Sequence, residues 1–153
     1  MRRSILKPII AATLLCGTLD IVFAAVLTLM RGRHIGDMLR FVASGPFPNA
    51  PGMGRGGAVL GLVVHYSLMA IMVAVFAFAA RRLPKLLDKP LLSGIGYGLL
   101  TYVVLDLIVI TLRFPAAWPP ATLSIATQLF AHIVLVGLPT AYIARRYLRA
   151  ARR

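Results

Sequence analysis

Ile9-Ile-Ala-Ala-Thr-Leu-Leu-Cys-Gly-Thr-Leu-Asp-Ile-Val-Phe-Ala-Ala-Val-Leu-Thr-Leu-Met30 is a run of 22 residues broken by a single charge, Asp20. As a helix at 1.5 Å per residue it reaches about 33 Å, enough to cross a hydrocarbon core of roughly 30 Å. Three further runs have the same character: Ala58 to Ala80, Leu91 to Leu112 and Ala121 to Ala144. Lipid offers no partner to a free backbone N–H or C=O, so each run is expected to be an α-helix. A membrane barrel would instead show alternating segments of about 10 residues. The expected fold is all-α: one transmembrane domain, residues 1–153, built as a four-helix bundle with spans near 9–30, 58–80, 91–112 and 121–144.

The composition agrees. Hydrophobic residues make up 59% of the chain and charged ones 14%, with a mean hydropathy of +0.86. A soluble domain carries about a quarter charged residues, so a soluble enzyme, a disordered tail and a disulfide scaffold are all excluded. Cys16 is the only cysteine, which rules out an intramolecular disulfide or a thiol redox pair. The first residues, Met1 to Lys7, carry the two arginines of a twin-arginine export signal, and Thr13 to Cys16 has the outline of a lipoprotein box. But Leu15 stands where such a box needs a small residue, and the apolar run continues to Met30. The expectation is a retained first helix.

Seventeen basic residues face four aspartates and no glutamate, for a net charge of +13. In a soluble protein this would suggest nucleic acid. Here the cations lie between apolar runs, where they set topology and contact anionic phospholipid headgroups. Nucleic acid is not an expected partner; the bilayer is, and a second copy or another membrane protein is compatible with it. The N-terminus, the second connection and the C-terminus together carry twelve Lys and Arg. The first and third connections carry five: Arg31, Arg33, Arg40, Arg55 and Arg113. Both termini are therefore expected in the cytoplasm.

The first connection is the long one. Ile35, Met38, Leu39 and Val42 recur at i, i+3, i+4 and i+7, with Asp37 and Arg40 on the opposite face. This predicts a short amphipathic helix, ended by Gly45-Pro-Phe-Pro48, that either lies flat in the outer membrane interface or caps the bundle. Asn49 to Gly57 is glycine-rich and expected to be a loop. Asp88 is the expected cap of the third span, which Pro90 opens.

Each span carries one ionisable residue deep inside: Asp20, His65, Asp106 and His132. Such groups are costly in lipid and mark candidate sites for proton or cation handling. Asp20 and His132 fall at the midpoints of their runs; His65 and Asp106 fall roughly 6–7 Å toward the outer face. Depth thus pairs Asp20 with His132 and Asp106 with His65. Tyr102, Ser124 and Gln128 share stripes with these residues as supporting polar groups. Gly17, Gly61, Gly94 and Gly98 allow close helix approach, and Gly94 and Gly98 are expected to meet the second helix, which only a short connection separates from the third. Histidine titrates near neutrality, so the cluster could share or pass a proton; hydrogen bonding could equally serve only to fasten the bundle. The depth difference between His65 and His132 does not suit a haem held by two histidines. The four residues include zinc-ligand types but no short metal motif. No metal or cofactor is expected, and with no recognisable nucleophile or phosphate loop the chain does not read as an enzyme.

Gly61-Leu-Val-Val-His65, Leu83-Pro84-Lys85, Leu91-Leu-Ser-Gly94, the loop from Phe114-Pro115 to Trp118-Pro-Pro120, and Ala131-His132 before Arg145-Arg146 occur in the order and spacing of the YagU-like bacterial inner-membrane proteins, which the chain distantly resembles from its second span onward. The resemblance implies a small helical inner-membrane protein without assigning it an activity. Two functions are compatible with these readings: a small proton-linked transporter or accessory using the Asp/His cluster, or a non-transporting structural or partner-binding membrane protein whose cluster fixes packing.

Overall fold

A computed structural model describes residues 5–149. Arg2, Arg3, Arg152 and Arg153 of the charge count lie outside the described residues. Five helices follow in chain order: α1, Leu6–Met30; α2, Ile35–Ser44; α3, Gly54–Arg82; α4, Pro90–Arg113; and α5, Thr122–Arg149. No strand occurs among the described residues. All but α2 are long and apolar enough to cross a membrane, and they pack as a four-helix bundle. Each outlasts its apolar run at one end or both, since a helix needs no apolar residue where it meets water.

Local chemistry sets the ends. At the end of α1, Gly32 takes a left-handed conformation (φ +67°). Its N–H donates to Leu29 O and the N–H of Arg33 to Thr28 O, the paired bonds of a Schellman cap. At the end of α3, Leu83 is forced out of helical geometry ahead of Pro84. Pro90 occupies the first turn of α4, where its missing N–H removes no bond. The expected Asp88 cap is not formed; Lys89 holds the cap position, and Asp88 instead pairs with Arg149 of α5.

The amphipathic prediction for α2 holds as a helix, and its apolar side packs against α3, burying Leu39 and Ala43. The fit is close because Gly61 lies under it: a Cβ there would stand 2.0 Å from Leu39 O. The segment expected to be a loop folds as a 3-10 turn, Ala50–Met53, and Gly54 to Gly57 form the first turn of α3. Glycine is needed there too, since a Cβ on Gly57 would lie 2.2 Å from Ala50 O.

Among the spans, α1 packs between α3 and α5, and α4 runs along α5. Gly94 and Gly98 do not meet α3, their expected neighbour. They meet α5, where a Cβ on Gly98 would lie 2.5 Å from His132 O and one on Gly94 2.9 Å from Leu138 Cα. Gly137 completes the crossing from the other side, 2.2 Å from Gly94 O by the same measure. Chain proximity misled because α4 reaches α3 through a large side chain instead: Tyr97 donates to Met72 O and its ring packs on Phe76. Gly17 packs against the Tyr66 ring, joining α1 to α3.

The bundle is filled unevenly. Ala12, Cys16, Met69, Val73 and Val136 form one buried cluster, and Phe76, Ala80, Leu87, Ala141 and Ala144 a second toward the end carrying Arg81 and Arg82. The half nearer α2 is not filled in this way and contains a cavity.

Candidate functional site

The cavity has a volume of about 930 Å³ and is partly open. Asp20, His65, Asp106 and His132 all line it, as do Ser124 and Gln128. One stripe of α1 supplies Asp20, Ala24 and Thr28, the i, i+4, i+8 spacing of a helix face.

The four ionisable residues form two pairs, and these are not the pairs that depth predicts. His132 Nε2 lies 2.9 Å from Asp106 Oδ2, and His65 Nδ1 lies 3.9 Å from Asp20 Oδ2. Helix adjacency decides the outcome: α1 packs on α3 and α4 on α5. The depth estimate failed because α5 continues to Arg149. Measured on the whole helices, all four residues sit between the helix midpoints and the α2 end, within about 4 Å of one another along the bundle.

Each imidazole has one nitrogen fixed by the scaffold. His65 Nε2 is 2.9 Å from Gly17 O. A carbonyl oxygen only accepts, so this nitrogen carries hydrogen, and Nδ1 is the nitrogen that faces Asp20. His132 Nδ1 is 2.9 Å from Thr101 Oγ1, whose hydroxyl also reaches Gly98 O at 2.9 Å. If the hydroxyl donates to Gly98 O, Nδ1 must donate to the hydroxyl, and a second hydrogen lies between Nε2 and Asp106. If the hydroxyl turns to donate to Nδ1, one hydrogen remains, between Nε2 and Asp106. Thr101 thus keeps both ring nitrogens of His132 bonded with one or two hydrogens in the pair, giving up its own bond to Gly98 O when it donates to the ring. The sequence reading passed over Thr101 and chose Tyr102, which is buried edge-on to the His132 ring, with centroids 6.1 Å apart. The missed signal was position: Thr101 lies one turn beyond Gly98, on the face meeting α5.

Both helices of the tighter pair widen to π-helical spacing where they carry it, over Val103–Ile110 and Ala131–Gly137. Pro139 explains the second case. It cannot donate to Leu135 O, and its ring crowds that turn. Such widened turns often occur at functional sites.

Toward α2 the lining becomes basic, with Arg31, Arg33 and Arg113. Arg113 is tied: its Nε donates to Gly45 O at 2.8 Å and a terminal nitrogen to Ser44 O at 2.9 Å. These are the free carbonyls at the end of α2, where a cation is favoured. Asp37 pairs with Arg40. Among the described residues, no three His, Cys, Asp or Glu side chains converge as metal ligands. No protein-family model, curated protein or solved structure matches the chain.

Proposed function

We propose that the protein is a small proton-linked transporter, or the proton-handling subunit of one, of the bacterial inner membrane. One observation carries this reading: both acid–imidazole pairs face a cavity of about 930 Å³ instead of being sealed between helices. Groups that only fasten a bundle have no need of such space, and polar contacts between membrane helices are worth only about 0.6–2 kcal/mol. Tight packing on the other side of the cluster fits a carrier closed on one side. The cluster takes a proton at His65 or His132 and releases it to the cavity. Both termini lie in the cytoplasm, the α2 end faces outward, and the Arg and Lys clusters contact anionic phospholipid. The likeness to YagU-like proteins accords with this setting.

Proton flux into liposomes, followed with an enclosed pH-sensitive dye, tests the reading. The wild type should exceed protein-free liposomes, and Asp20→Asn should fall to that baseline while keeping its thermal midpoint. Wild-type flux at the protein-free level would end it.

A second reading is favoured by the tighter pair. His132, Asp106 and Thr101 sit beside the Gly98–Gly137 crossing, where they would lock α4 to α5. In that case the protein does not transport, and substitutions in either pair lower stability alone.

A further inference from the structure

The cavity carries opposite charges at its two ends. At the α2 end, Arg31 and Arg33 line it, brought there by the turn at Gly32. Among the described residues neither guanidinium has a hydrogen-bond or ion-pair partner. Asp37, the acid at this end, is taken up by Arg40, and Arg113 is held by α2. At the other end, Asp106 is held by His132, whereas Asp20 stands 3.9 Å from His65, beyond a direct hydrogen bond, with 27% of its side chain exposed. The groups left without a direct bond are therefore two guanidiniums at one end and one carboxyl group at the other. Asp20 and Arg31 are eleven residues apart on α1, about 16 Å along the axis. Between them the wall is apolar, with Phe23 and Leu27 of α1, Met38 and Phe41 of α2, and Val109 and Ile110 of α4.

We propose that this cavity binds an elongated zwitterion: an anionic group, carboxylate or phosphate, at Arg31 and Arg33, an apolar middle, and a protonated amine at Asp20. A purely apolar guest would place hydrocarbon against Asp20, and a simple amphiphilic anion would leave that carboxyl group with no polar contact closer than the His65 ring at 3.9 Å. A compact zwitterion, such as an α-amino acid, carries its charges too close together to reach both ends. Charge placement sets the class, and the apolar wall sets the spacing. The assignment rests on the transport reading only in naming the ligand as cargo; the binding site stands on the cavity itself.

Titration calorimetry on the purified full chain in a neutral maltoside detergent tests it, with ω-aminooctanoate, octanoate, octylamine and norleucine as probes. The ω-amino acid should bind about tenfold more tightly than either single-charge analogue, the size of one added favourable charge contact. Norleucine should bind no better than those two. Arg31→Gln with Arg33→Gln should erase its advantage over octylamine while leaving octylamine binding unchanged. Asp20→Asn should erase its advantage over octanoate, with the octanoate affinity serving as proof that the variant is folded. Equal affinities for the first three probes, or no effect of the arginine variant, would overturn the proposal. Binding of the ω-amino acid by a chain that shows no proton flux would instead remove the transport reading and leave the site in place.

Discussion

His132 Nε2 and Asp106 Oδ2 lie 2.9 Å apart, whereas His65 Nδ1 and Asp20 Oδ2 are separated by 3.9 Å. The first pair is a direct hydrogen bond; the second has a gap that water or a ligand group can bridge. The two pairs therefore have different roles, one closed and one open.

That difference should appear in stability. Asp106→Ala removes a formed contact and leaves a ring nitrogen of His132 without its partner, so it should lower unfolding free energy by about 1–2 kcal/mol. Asp20→Ala removes no direct bond and should change it by less. Thermal melts of both variants in one detergent make the comparison, and the reverse order would contradict the assignment of the closed pair.

Thr101→Val keeps the shape of the side chain and deletes its hydroxyl. His132 Nδ1 then loses its partner in either protonation state, at about 1–3 kcal/mol. Thr101→Ser should restore both stability and proton flux. Were the valine variant as stable and active as the wild type, Thr101 would have no positioning role.

His65 should be protonated on Nε2 whenever it is neutral, because Gly17 O accepts from that nitrogen. Two-bond proton–nitrogen correlation spectra of the ring distinguish the tautomers. A neutral ring with its hydrogen on Nδ1 would contradict the bond to Gly17.

Gly98→Leu should overpack the α4–α5 crossing by about 1–3 kcal/mol or more and displace His132, whose carbonyl lies 2.5 Å from where the Cβ would be. Gly96→Leu is the control, since a Cβ there meets nothing within 4 Å. Thermal midpoints of the two should diverge, with flux falling only in Gly98→Leu.

The bundle was legible because lipid allows so few solutions: four long apolar runs leave the backbone only one way to satisfy itself. The ionisable residues were legible for the same reason, each being an expensive exception in its run. What joined them was not legible. Depth along a helix can be read from run ends, but the ends of α5 were set by Arg145 to Arg149 continuing the helix, outside any apolar count. Which helices touch depended on Gly137, a glycine without the four-residue spacing that drew attention to Gly94 and Gly98. Thr101 was overlooked because threonine is unremarkable in a membrane helix until its neighbour is known. The Asn49 to Gly57 stretch was misread because its glycines answer to close backbone approach, at Gly57 against Ala50, as much as to chain freedom.

Arg113 was counted as a topology charge, yet it holds two carbonyls at the end of α2. The short helix is thus latched to the tip of α4, whose own middle turns bear Asp106. Any tilt of α4 that reshapes the cavity must either drag α2 along, sliding it over Gly61 on α3, or snap both bonds at once. The roof over the site and one of its walls are therefore a single mechanical part, with the guanidinium as its rivet.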